Sequence, residues 1–338
     1  MRHLLLLLVA AALAGVTQRA GAQPGKPLDI HVIDVEGGQA TLMVTPSGES
    51  LLVDTGYVGF NGRDADRIAA VVRQAGLSRI DYLVVTHYHA DHVGGVPALA
   101  ARVPIRTFVD HGPTVEQGDQ PALLYQAYLA TRAKGRHVLA RPGDTLPIAG
   151  LDVRIVSAAG DLITKPLAGA GQPNALCRDY LPADPDPTEN ARSVGMVLTF
   201  GRFRMLDLGD LTWNKEHDLV CPNNLLGTVD VYLTTHHGLN LSGPAVLVHA
   251  VQPRVAVMNN GPRKGGVPSA WRIIRDSPGL EDLWQLHYAV DGGPDHNVPE
   301  TFIANVDDTT AHDIRISAQR NGSFEITNGR NGHRKMYR

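Results

Sequence analysis

Two mixed β-sheets packed face to face, with helices on their outer sides, is the α/β fold this sequence predicts. Short apolar or alternating runs, punctuated by Gly and Pro, recur along the chain and read as strands. They alternate with segments of helical period. This ββ…αβα order occurs twice, and each half contains a strand that runs into histidine, "YLVVTH" and "VYLTTH".

The first 22 residues stand apart. Arg2 precedes an apolar run over residues 4–16, and Ala20-Gly21-Ala22 stands before Gln23. That is the layout of a secretory signal peptide cleaved after Ala22, and the apolar run is shorter than the ~20 residues of a spanning helix. The expectation is an exported protein, periplasmic or secreted, with residues 23–338 forming a single domain and no membrane span in the mature part.

Three strands open that domain, over residues 28–35, 39–45 and 50–56, with Glu36-Gly37-Gly38 and "PSGE" as turns. A helix follows over "RDADRIAAVVRQAGLS", with Asp64 as its expected cap, Ile68, Val71, Val72 and Ala75 on one face, and Gly76 as its end. Next come the strand "IDYLVVT", a short helix at 96–101, the strand "IRTFVD", an amphipathic helix over 120–135 and a hairpin turning at Ala149-Gly150. Residues 159–190 show no period, the mark of a functional or flexible loop. The second half brings a strand pair over 193–210, a helix or loop over 213–226, a strand over 229–238, then helices near 244–251 and 269–276 alternating with "RVAVMNNG" and "LWQLHYA". A hairpin with Asn321-Gly322 at its turn comes last, and residues 328–338 read as a solvated tail.

Hydrophobic residues make up 43% of the chain, enough for a substantial core, and 31 basic against 34 acidic residues leave no electrostatic footprint for stable nucleic-acid binding. The two cysteines, Cys177 and Cys221, cannot form a thiolate zinc cage, and in an exported protein they suit a disulfide. Any metal must rest on imidazole and carboxylate.

Those ligands gather in "DYLVVTHYHADHVGG". Side chains at i and i+2 of an extended segment point the same way, so His87 and His89 can grip one cation from the mouth of the strand. Asp91 and His92 lie in the turn beyond and can face a second, while Gly94-Gly95 lets the chain turn closely into the next helix. Zinc accepts this ligand mixture, and two cations ~3.5–4 Å apart can polarise an ester or phosphoryl oxygen and supply a hydroxide.

"THYHADHVGG" resembles the signature of the metallo-β-lactamase superfamily, whose fold is a four-layer αββα sandwich with a metal site along one edge of the sheets. The resemblance implies further roles. Asp54 of "LLVDTG" would orient the histidine loop, and Asp210 of "LDLGD" would bridge the metals, with Asp207 as the fallback. "LTTHHG" would supply the last ligand; the parallel between "VYLTTH" and "YLVVTH" favours His236, leaving His237 as a supporting or substrate-contacting residue. Many hydrolases of the family carry another ligand histidine between the first motif and the bridging aspartate. Here "ENARSVGMVLTF" stands in that place, so that Asn190 or Ser193 would face the site. This N-x-x-S, the following "LGD" and "HHG", and the opening "DVEGGQATLMVT" are similar to the hydrolase domain of competence proteins of the ComEC type.

The expected protein is thus an exported dinuclear hydrolase with metal ligands His87, His89, Asp91, His92, Asp210 and His236, and with Asp91 or Asp210 orienting the nucleophile. Two divalent ions are expected, zinc first and manganese second. A small or short phosphodiester is the first expected substrate class, and a lactone, thioester or β-lactam the second. A non-catalytic binding module braced by metal is the reading from another class. His111 and the "NNGPRK" stretch, with Asn259, Asn260, Arg263 and Lys264, are weaker polar candidates.

Overall fold

The computed structural model describes residues 25–338, so the expected signal peptide lies outside the described residues. The chain first lays down β1 (Leu28–Val32), β2 (Thr41–Val44), β3 (Ser50–Val53), β4 (Ile80–Val84), β5 (Ile105–Asp110) and β6 (Arg136–Leu139) side by side. It then builds a second sheet from β7 (Thr145–Ile148), β8 (Leu151–Ala158), the two-residue β9 (Asp161–Leu162), β10 (Gly195–Phe200), β11 (Phe203–Asp207), β12 (Val231–Leu233), β13 (Val255–Met258), β14 (Asp282–His287) and β15 (Ile303–Asn305). Finally it returns to the first sheet, where β16 (Ile314–Ala318) pairs antiparallel with β1 and is followed by β17 (Phe324–Asn328) and β18 (Arg334–Tyr337).

Both sheets are mixed. β3 to β6 and β11 to β15 run parallel, and the remaining neighbours antiparallel. A parallel neighbour needs a crossover, and helices supply most of them. They are α1 (Arg63–Gln74), α2 (Val96–Ala100) and α3 (Asp119–Arg132) in the first half, and α4 (Trp213–Asp218), α5 (Ala245–Val251) and α6 (Pro268–Arg275) in the second.

The layers follow from side-chain alternation. Leu28, Ile30 and Val32 of β1 point inward and meet Met205, Val231, Val257 and Trp284 of the second sheet in one buried cluster between the sheets. The outer face of the first sheet, with Leu52, Leu83 and Phe108, packs on Ile68 and Val72 of α1 and Leu99 of α2. The outer face of the second, with Tyr232, Ala256 and Leu283, packs on Leu247 and Val251 of α5 and Ile274 of α6. This is the four-layer arrangement expected from the sequence.

Local differences have local causes. Asp64 does not cap α1: Gly62 takes that position in a left-handed conformation, and Asp64 sits in the first turn accepting the Tyr57 N–H at 2.8 Å. Of the 14 residues of α3, only Tyr128 and Thr131 are buried, so its amphipathic pattern is weak in fact. The C-terminal residues are not a loose tail, because β18 pairs with β17 and Tyr337 is fully buried. The irregular 159–190 stretch is tied down by a Cys177–Cys221 disulfide.

Candidate metal centre

Five strand ends deliver the site: those of β3, β4, β11, β12 and β13. The carboxyl ends of parallel strands are where α/β sheets place ligands.

Asp54 leaves β3 with φ 59°, a left-handed conformation uncommon outside glycine. It thereby turns its carboxylate onto the end of β4, accepting from the Thr86 N–H at 2.8 Å and the Thr86 hydroxyl at 2.7 Å. It also meets His92 Nδ1 at 2.7 Å. With Nδ1 committed to Asp54, the lone pair of His92 lies on Nε2, which faces the other donors, as a metal-ligating histidine requires.

Around His92 Nε2 the chain gathers Asp91 Oδ2 at 3.2 Å, Asp210 Oδ2 at 3.2 Å and His237 Nε2 at 3.3 Å. His237 Nε2 lies 3.3 Å from Asp91 and 3.4 Å from Asp210 Oδ1. One donor atom from each of Asp91, His92, Asp210 and His237 falls within 4.8 Å of every other, and all four residues are buried. Asp210 is the hub, since its Oδ2 is also 3.4 Å from His236 Nε2 and 3.8 Å from His87 Nε2.

The spatial quartet therefore contains His237, whereas the parallel wording of the strands favours His236 as the ligand. β12 ends at Leu233, and His236 and His237 both adopt φ near 55°, at 55° and 56°. Two consecutive left-handed residues turn the strand end so sharply that both imidazoles reach Asp210, and such strain outside glycine collects at functional sites. His236 Nδ1 is held by Ser242 Oγ at 3.2 Å.

His87 and His89 stand next to the quartet, with His87 Nε2 3.1 Å from His89 Nδ1. The far nitrogen of His89 meets Glu116 at 3.2 Å. Ser193 reaches the site: its hydroxyl lies 3.5 Å from His87 Nδ1 and accepts the Asp210 N–H at 3.2 Å. Asn190 is buried one short turn earlier, and its side-chain oxygen has no partner among the described residues. Asp207 is drawn away from the donors. It accepts two bonds from Gln39 Nε2, at 3.1 and 3.0 Å, and the Gly209 N–H at 3.1 Å, and its burial lifts its pKa to about 6.

The electrostatics suit a cation. Burial disfavours charge on His92, yet Asp210, Asp91 and Asp54 raise its proton affinity well above the imidazole norm. Burial works against ionising Asp91 and Asp210 too, but the facing histidines, His92 foremost, hold both carboxyls well below their ordinary range. Burial and the neighbouring His92 lower His87. Among the described residues Asp210 Oδ1 and His237 Nδ1 lack hydrogen-bond partners, and two imidazole Nε2 atoms face each other at 3.3 Å. Nitrogen lone pairs and carboxylate oxygens converging on one buried spot fit a divalent metal.

Several contacts lie outside the motifs. Lys264, from the loop after β13, forms an ion pair with Asp91. Glu189 is fully buried and pairs with His111 at 2.8 Å while accepting the Val115 N–H at 2.7 Å and the Tyr88 N–H at 3.2 Å. It locks the segment carrying Asn190 and Ser193 onto the histidine loop. Glu189 and Glu116 sit in aperiodic polar stretches, where no pattern marks them. His287, to which the sequence assigns no role, pairs with buried Asp34 at 2.7 Å.

With this geometry in view, residues 33–173 match the family model described as "Metallo-beta-lactamase superfamily". A hydroxyacylglutathione hydrolase of Stenotrophomonas maltophilia (strain R551-3) is 34% identical over 112 residues, 31% of this chain and 37% of that protein. A second hydroxyacylglutathione hydrolase, from Hamiltonella defensa subsp. Acyrthosiphon pisum (strain 5AT), is 26% identical over 152 residues, 45% of this chain. The match spans about half of that relative, 51% of its length. Neither bears the name of a competence protein. Among solved structures, Tm1679, described as a metal-dependent hydrolase of the β-lactamase superfamily, aligns with a TM-score of 0.43 and 13% identity over 76% of this chain and 95% of that one. CmlA, a diiron β-hydroxylase from Streptomyces venezuelae, aligns with a TM-score of 0.43 and 17% identity over 78% of this chain and 54% of that one. The two mixed sheets with helices on their outer faces are the metallo-β-lactamase fold, and residues 33–173, which carry Asp54 and the histidine loop, match the metallo-β-lactamase superfamily model.

Proposed function

We propose that this protein is a metal-dependent hydrolase of small molecules and that acyl esters or thioesters are its substrates. The convergence of Asp91, His92, Asp210 and His237 donors within 4.8 Å carries the reading. In it these four residues, with His87, His89 and His236 beside them, hold one or two divalent ions, zinc first and manganese second. Divalent metal held there would supply Lewis-acid polarisation of the substrate oxygen and acidification of water.

The chain's own residues do the rest. Asp54 fixes the His92 tautomer through its 2.7 Å contact. Asp210, central among four imidazoles, orients the attacking water, with Asp91 as its neighbour in that role. Ser193 holds His87 and the Asp210 backbone together. Lys264 offsets the negative charge of Asp91. The names of the two hydroxyacylglutathione hydrolases support an acyl substrate over a phosphodiester.

A phosphodiester is the second reading, favoured by Ser193 and Asn190 in place of a further histidine and by Lys264 at the cluster as a charge for an anionic group. Export also belongs to this proposal, supported by the Cys177–Cys221 bridge, since disulfides persist in oxidising compartments.

The test sets an acylglutathione thioester beside bis(p-nitrophenyl) phosphate, using metal-stripped protein before and after zinc or manganese is restored. Metal-dependent thioester cleavage at least tenfold faster than diester cleavage is expected. The reverse ratio would move the assignment to phosphodiesters, and no turnover on either with metal bound would favour a binding module.

A further inference from the structure

Beside the metal-centre histidines, on the helical side of the first sheet, lies a cavity of about 380 Å³. This falls in the size range of small-molecule sites. Its walls are Val58, Pro97, Leu123 and Leu124, with Tyr88 and His89 at the inner end. His89 is thus shared between the cavity and the candidate metal centre, where it touches His87.

Two features of the cavity ask for an occupant. Val58 is 54% exposed and Leu123 64% exposed. α3 thus presents a largely exposed leucine as part of the cavity lining. The walls are also firmly held. A Cβ on Gly94 would lie 2.2 Å from Val58 N and 2.8 Å from Tyr57 C, so the loop carrying Val58 is pressed against the end of the histidine loop, backbone to backbone. The charge of the lining selects among occupants. Among the described residues it includes Glu116 and no lysine or arginine, which repels a phosphate or carboxylate and accepts hydrocarbon.

We infer that this cavity receives the apolar acyl chain of the substrate, placing the scissile carbonyl beside His89 and His87 with the chain running under α3. The inference rests on the acyl-hydrolase reading and narrows it to esters or thioesters of medium-length, unbranched carboxylic acids. Water and the ester give the free acid and the alcohol or thiol. Leu123, Leu124 and Val58 act as positioning residues that set chain-length preference.

Two measurements test it on the metal-loaded protein. The first is equilibrium binding of the fluorescent hydrocarbon probe N-phenyl-1-naphthylamine and its displacement by decan-1-ol, which needs no turnover. The second is kcat/KM along p-nitrophenyl esters from acetate to decanoate. Leu123→Glu and Ala127→Trp both alter exposed positions of α3 that line the cavity, and so spare the core. The wild type should bind the probe, release it to decan-1-ol, and gain roughly fourfold in kcat/KM per added methylene until the cavity is full. Both variants should weaken probe binding at least tenfold and lower the decanoate-to-acetate ratio of kcat/KM by a similar factor. A flat chain-length profile in the wild type, or variants that bind the probe as tightly as it does, would overturn the pocket while leaving the hydrolase reading intact. Probe binding that is lost in the variants, with no ester turned over, would keep the hydrocarbon site and overturn the acyl-hydrolase reading. Concentration-dependent dimerisation abolished by Leu123→Glu would instead assign the exposed leucine to a second copy and overturn the proposal.

Discussion

Asp54 shows how much one residue can organise. Its left-handed backbone aims one carboxylate at Thr86 and His92 together. Asn tolerates that conformation, so Asp54→Asn should fold normally. The amide removes the negative charge that fixes the His92 tautomer, and metal affinity should fall 10–100-fold. Chelator competition with zinc would measure it, and an unchanged affinity would remove Asp54 from the site's support. Its place against the histidine loop was legible because "LLVDTG" precedes the histidine motif at a strand end. The choice between His236 and His237 was not, because a pair of consecutive left-handed residues leaves no trace in hydrophobic period.

Glu216 belongs to the same scale. Burial pushes its pKa up to about 8, and Gly243 N–H donates to its Oε2 at 2.6 Å while Oε1 has no partner among the described residues. Below the ordinary pKa of 4.5 both folded and unfolded chains keep the proton and no penalty exists. Between there and about 8 the unfolded chain releases it while the folded one retains it, so stability declines as pH rises. Glu216→Gln should leave stability nearly unchanged at pH 5 and raise it by about 2 kcal/mol at pH 9. Urea unfolding at the two pH values checks this; equal effects at both would contradict it.

Among elements, those with clear periodicity were readable. β5, the β7–β8 hairpin and α5 fall within a residue or two of their expected positions because apolar alternation and Gly or Pro punctuation mark them. β6 was missed, since "RHVL" is an edge strand in which Val138 alone packs against the core, too little to impose a pattern. β18 was missed because "RKMY" reads as a basic tail, although Tyr337 packs on Phe324 and accepts the Trp284 indole N–H at 2.9 Å across the sandwich.

The short turn before β10 shows no helical or strand period, and the N-x-x-S within it does not mark Glu189, whose pair with His111 helps place Ser193. Glu189→Ala would strand His111 and the Val115 and Tyr88 N–H groups in a buried setting. The expected loss is about 3 kcal/mol or more, read as a lower urea midpoint. A loss below about 0.5 kcal/mol, the scale of ordinary surface changes, would contradict this anchoring role.

At the scale of the whole molecule, the two-sheet fold was legible because the ββ…αβα order occurs twice. Each sheet contributes carboxyl strand ends to one edge: Asp54 and the histidine loop from the first, Asp210, His236, His237 and Lys264 from the second. The site therefore exists only when the sheets are packed, and its donors come from positions far apart in the chain. The histidine loop was readable as a candidate metal motif from local spacing. Glu189, Glu116 and the cavity under α3 were not, because tertiary packing alone brings them there. The central claim, that these strand ends make a metal centre which drives hydrolysis, is tested most directly by titrating zinc into metal-stripped wild type and Asp210→Ala while following both bound metal and thioester cleavage. Turnover that rises with metal occupancy in the wild type, together with at least 100-fold weaker binding and no measurable turnover in the variant, is the predicted result. Full activity without metal, or an Asp210→Ala protein that binds and turns over as the wild type does, would contradict it.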